Sequence, residues 1–478
     1  MRIVVKMTDS KLITLLSTFN KYELNRLRKY VESPFFNENQ LLVDLFDVID
    51  RFLRSNKNTL DQKVVWSKIF DNKPYDDTKF RRLSSDLNKL AQDFLAIEDF
   101  KNQPLAFESY QLRLLNSKGL DKHYLAVERN VDRDRKKLKL RDAMFFYNNA
   151  MLEYEKHLYL EKHSVMRTKK VNLSNADFQL DCFFLSLKLK NYCDAINYKN
   201  ILNIDIEVGM IEELLEIVKR DVYQTVPAIA IYYQILLTLL DREEETHFYN
   251  LKNLLNENNF KFQQQEMRNM YIFAQNYCIK KINTGNAKYY RELFDIYKTL
   301  IETKIILNKG VIVPWDYKNI TSVGLRVGEY KWVEKFIKNY NQHLPKDYQK
   351  NALTYNLAIL HFYKKDYEEV ISLLRDMTYQ DVFDALQGRW LLLKTYYELD
   401  EYDALDALID SFRIFLRRNK SISKSYQKMY MNAIKFLQKI MKIPFEGKAA
   451  GDRLRTQIKE CTPIAERRWL LQKLEEVR

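Results

Sequence analysis

Apolar residues recur every three or four positions along most of the chain, which is the spacing of one face of an α-helix. The clearest stripe lies between Asp77 and Phe100. Its members are Phe80, Leu83, Leu87, Leu90, Phe94 and Ile97. The first hundred residues predict four short helices, the first of which begins near Ser10 and is ended by Pro34. From Pro104 to about Gly310 the same spacing continues between brief polar breaks, and the pattern predicts an all-α fold.

An internal repeat appears when the later third of the chain is shifted by 35 residues against itself. Residues of one copy then superpose on chemically similar residues of the next: Leu357, His361, Asp366, Tyr367, Val370, Leu374 and Met377 fall on Leu392, Tyr396, Glu401, Tyr402, Leu405, Ile409 and Phe412. A weaker copy lies upstream in "LRVGEYKWVEKFIKNYNQHLP". A period of this length, built from two helices, predicts units that bury their apolar faces by stacking on their neighbours.

The segment "YNLAILHFYKKDYEEVISLL" resembles the tetratricopeptide-repeat (TPR) family, with Leu357 and the small Ala358 in the first helix and "KKDY" as the turn. The resemblance covers Asn319 to Phe415 and departs from the family where Leu393 replaces a small residue. It implies an α-solenoid of antiparallel helix pairs. The stretches "SPFFNEN", "GEYKWVEKFI", "YNLAILHFYKKDY" and "SFRIFLRRNK" also resemble a group of uncharacterised helical-repeat proteins of Bacteroidota, a likeness that implies no role.

The expected organisation is a continuous solenoid of four regions. Residues 1–103 form an N-terminal helical region and residues 104–318 a divergent helical-repeat region. Residues 319–415 carry the TPR-like repeats, and residues 416–478 form basic C-terminal helices. A stack of this kind has a concave surface that can hold an extended peptide or a helix. The tyrosines on first helices of the repeats are the candidates for that groove: Tyr355, Tyr363, Tyr396 and Tyr397.

Composition supports long helices, since the whole chain has only 9 Gly and 8 Pro. The net charge of +14 favours an anionic partner, but an AT-rich genome would also enrich lysine in any protein. The four cysteines have no metal-binding spacing, which indicates a reducing compartment and no zinc site. With neither a signal peptide nor a long apolar run in the sequence, we expect a cytoplasmic protein.

Sequence motifs for catalysis are absent. The chain has no glycine-rich phosphate loop, no HExxH and no GxSxG, so nothing predicts an enzyme or a cofactor. His157 and His163 lie six residues apart, on nearly opposite faces of a helix. Glu153 and His157 have a spacing that is common on solvated helices, and no metal is expected there. The sequence therefore predicts a non-enzymatic scaffold that binds a protein.

A basic stretch from Arg417 to Ile443 contains no acidic residue. On a helical wheel its lysines fall within an arc of about 60° opposite an apolar face. This lysine ridge consists of Lys424, Lys428, Lys435, Lys439 and Lys442, and Arg413, Arg417, Arg418 and Lys420 lead into it.

Three interpretations of the ridge stay open. It is the solvated face of a capping helix, a surface for nucleic acid or an acidic protein, or a membrane-surface helix. The membrane is the least expected partner, because the helix would have to expose its apolar face. A second basic cluster, Arg129 to Arg141, surrounds its helix and is typical of a solvated element.

Overall fold

The computed structural model describes residues 10–55, 59–71, 73–103, 105–163, 173–375, 377 and 382–477. Within these ranges the regular secondary structure is helical, and an isolated β-bridge joins Asn308 and Val311. The all-α prediction is confirmed. The chain divides into two compact units, Met1–Ala230 and Ile231–Arg478.

The first unit begins with five described helices where the sequence predicted four. These are α1 (Lys11–Leu16), α2 (Lys21–Val31), α3 (Gln40–Leu53), α4 (Gln62–Ile69) and α5 (Asp77–Asn102). The prediction of one helix from Ser10 to Pro34 was wrong, because Asn20 starts a new helix there. The Asn20 side chain accepts hydrogen bonds from the N–H groups of Tyr22 and Glu23. The Glu23 side chain in turn accepts a hydrogen bond from the Asn20 N–H.

The predicted stripe of α5 faces a core shared with the four helices before it. Phe80, Leu83, Leu87, Leu90 and Phe94 are buried among apolar side chains of α1 to α4, and Ile97 is half-buried. The charged residues Arg28, Asp47, Asp50 and Arg54 form a network at this core, with Arg28 Nη2 2.8 Å from Asp50 Oδ2. Asp50 is therefore buried with both positive partners in place.

The remaining helices of the first unit are longer on average. They are α6 (Ala106–Ser117), α7 (Asp121–Arg135), α8 (Ala143–Lys162), α9 (Leu173–Leu202), α10 (Ile211–Val218) and α11 (Asp221–Gln224), and α12 (Pro227–Leu240) continues across the division. Helices α8 and α9 pack along each other, and α6 contacts both α7 and α8.

The second unit consists of helices that pack mainly on their neighbours in sequence. They are α13 (Glu245–Glu257), α14 (Gln264–Asn283), α15 (Tyr289–Glu302), α16 (Pro314–Arg326), α17 (Tyr330–Tyr340), α18 (Lys346–Tyr363), α19 (Tyr367–Arg375), α20 (Val382–Glu398), α21 (Tyr402–Arg418), α22 (Lys424–Glu446), α23 (Lys448–Glu460) and α24 (Arg467–Glu476). Helices α16 and α17, α18 and α19, and α20 and α21 form three such pairs.

In each of the three pairs, a turn of the same geometry joins the first helix to the second. Each turn has one residue with a positive φ: 83° at Gly328, 61° at Lys365 and 57° at Asp400. The N–H of the following residue donates a hydrogen bond to a carbonyl in the last turn of the first helix. Asp366 N–H donates to the His361 carbonyl at 2.9 Å, and Glu401 N–H donates to the Tyr396 carbonyl at 3.0 Å. This is the Schellman helix ending. The sequence repeat of 35 residues thus coincides with a repeated backbone turn.

One glycine sets a close approach between helices. A Cβ on Gly324 of α16 would lie 2.5 Å from Val333 Cγ2 of α17 and 3.0 Å from Phe294 Cε2 of α15. No side chain larger than hydrogen fits there without movement of its neighbours. Gly324 therefore allows α15, α16 and α17 to pack tightly.

Candidate functional site

A cleft of about 570 Å³ lies within the second unit. Residues spaced by three or four along α16, α18 and α20 line it, since such residues share one face of a helix. Lys318, Ser322 and Arg326 of α16 are one such set. Tyr290 of α15 and residues of α22 and α24 complete the lining.

The structure places two of the four candidate tyrosines at this cleft. Tyr355 and Tyr363 of α18 line it and are half-buried. Tyr396 and Tyr397 of α20 instead pack against the hydrophobic core formed by α20, α21, α22 and α24. The Tyr397 ring lies 5.6 Å from the Trp469 ring, and burial raises the pKa of Tyr397 to about 12.

One wall of the cleft is a segment that the sequence analysis did not assign to it. Residues 464–469, just before and at the start of α24, lie against the first helices of the repeats. The Ala465 N–H donates to the Met429 carbonyl at 3.3 Å, and the Asn432 amide donates to the Pro463 carbonyl at 2.8 Å. These two hydrogen bonds, one from a backbone N–H and one from a side-chain amide, fix the segment on α22.

Helix α24 is also held by buried side chains. Leu470 and Leu474 are fully buried in the core with residues of α20 and α22. Lys473 Nζ lies 2.7 Å from Glu398 Oε2, and the Trp469 indole donates to Glu398 Oε1 at 3.3 Å. Glu398 of α20 therefore binds two side chains of α24.

Positive side chains dominate the charge of the cleft, and aromatic rings hold them. Lys318 Nζ lies 5.8 Å from the Tyr355 ring, and Lys394 Nζ lies 5.0 Å from the Phe362 ring. The cations that line the cleft are Lys318, Arg326, Lys394, Arg467 and Arg468. The guanidinium groups of Arg326 and Arg468 lie 5.4 and 5.9 Å from the Tyr290 ring. These distances are within the range of cation–π contacts.

A single carboxylate, Glu466, lines the cleft among the described residues. Its Oε2 lies 3.4 Å from Lys394 Nζ. Burial lowers the pKa of Lys318, and the charges of Asp384 and Glu466 offset part of that shift. The cleft thus has more positive than negative groups, and it already accommodates one carboxylate of its own chain.

The lysine ridge lies on α22, as the wheel predicted. Lys424, Lys428, Lys435 and Lys442 are exposed, whereas Lys439 is half-buried and donates to Gln457 Oε1 at 2.8 Å. The opposite side of α22 is packed into the core through Ala433, Ile434, Phe436, Leu437 and Ile440. That apolar face is covered by neighbouring helices of the second unit.

The basic residues before the ridge differ in environment. Arg413 donates to Gln438 Oε1 at 2.6 Å and lies 3.6 Å from Asp410, so it joins α21 to α22. Arg417, Arg418 and Lys420 are exposed. Within the described residues, no Asp or Glu oxygen lies within 4 Å of the ridge lysines.

Residues of the second basic cluster, and His163, lie close to carboxylates. Arg135 pairs with the buried Glu153, and Lys156 Nζ lies 2.6 Å from Asp132. His163 Nε2 lies 3.1 Å from Asp121 Oδ1. Over the described ranges, no group of three or more His, Cys, Asp or Glu residues is arranged to hold a metal ion.

Comparison with known proteins finds no relative. No family model, no curated protein and no solved structure matches the chain. Among the helices that the structure describes, none combines the length and the apolarity needed to cross a bilayer.

Proposed function

We propose that this chain is a non-enzymatic scaffold that binds a peptide or a helix of another protein in the cleft between α16, α18, α20 and α24. The repeated helix pairs and their identical turns support a TPR-like stacked arrangement for residues 319–415. The observation that carries the proposal is the cleft itself, about 570 Å³, lined by regularly spaced side chains of successive first helices.

The lining has the composition of a protein-binding surface. The half-buried Tyr355 and Tyr363 offer aromatic surface, and Gln387 and Ser322 offer hydrogen bonds. Aromatic residues are enriched where protein partners bind, because they bury much area at a small entropic cost. No constellation of nucleophile, base and orienting group lies in the cleft among the described residues, which is consistent with binding without chemistry.

Site-specific photo-crosslinking tests the proposal. A photoreactive residue at Gln387, inside the cleft, is compared with one at Lys350, an exposed position of α18 outside the lining. We expect a discrete crosslinked protein from Gln387 alone, and a synthetic peptide of its crosslinked segment should compete with it. Equal crosslinking from both positions, or none from Gln387, would contradict the proposal.

The lysine ridge supports a second candidate function, association with nucleic acid. The exposed lysines have no acidic partner within 4 Å in the described part of the chain, so their charge is available to an anion. If these lysines contact phosphates, log K for RNA or DNA falls with log salt with a slope of roughly 3 to 4. Changing Lys428, Lys435 and Lys442 to Gln should reduce that slope, and a salt-independent affinity would remove this candidate.

A further inference from the structure

We propose that the cleft binds a partner segment rich in Asp and Glu, and that Glu466 is an internal competitor for that segment. The inference rests on the proposed scaffold function and specifies the chemistry of its partner. Two observations support this inference. Cations outnumber carboxylates in the cleft, and the one lining carboxylate among the described residues, Glu466, lies beside Lys394.

Most cations of the cleft have no carboxylate within salt-bridge distance in the described residues. Lys318, Arg326 and Arg468 have no Asp or Glu oxygen within 4 Å in the described residues, and Lys394 has only Glu466, at 3.4 Å. Like charges collected in one partly desolvated cleft repel one another, and a bound anion relieves that repulsion. The cleft is therefore complementary to a carboxylate-bearing segment.

Aromatic rings fix the cations in position before any partner arrives. The Phe362 and Trp469 rings lie 5.0 and 6.0 Å from Lys394 Nζ, and the Trp315 and Tyr355 rings lie 5.6 and 5.8 Å from Lys318 Nζ. Side chains held in place lose less conformational entropy when they bind. The arrangement is thus preorganised for an anion.

The same contacts argue against a single-stranded nucleic acid in the cleft. A positively charged groove binds such strands through aromatic rings on which the bases stack. Here the Tyr290 ring is covered by Arg326 and Arg468, and the Phe362 ring is covered by Lys394. The chain's own cations thus occupy ring faces that stacked bases would need.

The Glu466 carboxylate lies where a carboxylate of a bound partner would lie, beside Lys394. Glu466 precedes α24, lines the cleft and has a φ of 50°, a left-handed conformation that costs energy for a residue other than glycine or asparagine. The anchored segment around it, from Pro463 to Trp469, holds the carboxylate beside Lys394. A partner carboxylate that approaches Lys394 has to displace this contact.

Isothermal titration calorimetry with the full chain tests the proposal. The probe is a capped octaglutamate peptide, with capped octaglutamine and octathymidylate as the uncharged and nucleic-acid controls. The cleft variant changes Lys318, Lys394 and Arg468 to Gln, and the matched ridge variant changes Lys428, Lys435 and Lys442 to Gln. Both variants remove the same charge from the chain.

We expect octaglutamate to lose at least about tenfold in affinity with the cleft variant and less than about twofold with the ridge variant. Glu466→Asn, which keeps the left-handed backbone accessible and removes the carboxylate, should tighten binding several-fold. Lys394→Arg keeps the charge and should retain binding, which separates loss of charge from misfolding. Circular dichroism verifies that each variant is folded.

Three results would overturn the inference. Equal loss in the cleft and ridge variants would show adventitious attraction to a basic protein, and unchanged binding in the cleft variant would place the acidic peptide elsewhere. Tighter binding of octathymidylate that the cleft variant loses would make the cleft a nucleic-acid site. A partner crosslinked at Gln387 and insensitive to the cleft variant would leave the scaffold proposal standing and remove the acidic partner.

Discussion

Lys473 Nζ lies 2.7 Å from Glu398 Oε2, and the two side chains are only 9% and 13% exposed. This pair joins α24 to α20 and so supports one wall of the cleft. Burial lowers the pKa of Lys473, but the hydrogen bonds that its ammonium group donates to Glu398 and Glu476 outweigh this effect, and the pKa is raised. The ammonium group is therefore charged in the folded protein at neutral pH.

Removal of one partner of this pair should destabilise the second unit. We expect Lys473→Met to cost about 2 to 4 kcal/mol, because it leaves Glu398 with a buried negative charge and one donor fewer. Urea unfolding followed by circular dichroism measures the change. The control is Arg455→Met, whose partner Glu475 is largely exposed, with an expected cost below about 1 kcal/mol. Equal costs for the two variants would contradict the prediction.

Gly324→Ala should destabilise the packing of α15, α16 and α17. The added methyl group would meet Val333 Cγ2 at 2.5 Å, and overpacking of this kind costs about 1 to 3 kcal/mol. The free energy of unfolding in urea measures it. Gly209→Ala is the same chemical change at a position with nothing within 4 Å and should shift the free energy by less than about 0.5 kcal/mol. A neutral Gly324→Ala would mean that α17 can move away freely.

Tyr363 and Tyr397 should respond differently to truncation, although both are on first helices of the repeats. Tyr397→Ala removes a ring that packs on Trp469 and should cost about 2 kcal/mol or more in unfolding free energy. Tyr363→Ala should cost less than about 1 kcal/mol and should weaken the crosslink from Gln387. Thermal unfolding and crosslinking yield, measured on both variants, separate a core residue from a cleft residue.

The stability contributed by Glu334 should depend on pH at the acidic end. Hydrogen bonds from Lys338 Nζ and Lys364 Nζ, at 2.8 and 2.7 Å, lower the pKa of Glu334 from 4.5 to about 2. A lowered pKa stabilises the folded state above the unfolded pKa, and this contribution is lost as pH falls from 4.5 towards 2. We expect Glu334→Gln to be less stable by up to about 1 kcal/mol at neutral pH, since the group is a third exposed.

Urea unfolding at a series of pH values checks this expectation. The difference between wild type and Glu334→Gln should be constant at neutral pH and should shrink in acid. Lys364→Met should reduce the same pH dependence, because it removes one of the two donors. A difference that persists unchanged to the lowest pH would assign the effect to packing.

Lys365→Gly should stabilise the protein. The φ of 61° at Lys365 is unfavourable for a side chain with a Cβ, and glycine removes that penalty, for a net gain of about 0.5 to 1 kcal/mol. The midpoint of urea unfolding measures the gain. Lys350→Gly, in the interior of the same pair's first helix, should instead cost about 1 kcal/mol. Loss of stability at both positions would show that the Lys365 side chain makes a compensating contact.

The periodicity of the sequence was sufficient to predict the all-α fold and its neighbouring helix pairs. The stripe from Phe80 to Phe94 is buried, and the copies that start at Leu357 and Leu392 lie in helices of successive pairs. The break at Asn20 was missed, although Asn20 and Glu23 have the spacing of a capping box. That signal was present in the sequence and would have predicted α1 and α2 as separate helices.

The walls of the cleft could not be predicted from the sequence. Periodicity places Tyr355, Tyr363, Tyr396 and Tyr397 on first helices, but it does not say which of them a later helix covers. The contact between Glu398 and Lys473 joins residues 75 positions apart, and a single sequence carries no signal of such pairing. Glu466 was likewise one carboxylate among many until its distance from Lys394 was known.

The separation of 75 residues between Glu398 and Lys473 also determines the order in which the walls of the cleft are made. Synthesis is vectorial, so α16, α18 and α20 leave the ribosome and can fold before α24 exists. During that interval Glu398 has no Lys473 or Trp469 to bind, and Lys394 has no Glu466. Until α24 is made, the cleft therefore lacks the wall that residues 464–469 form and the one carboxylate that lines it among the described residues.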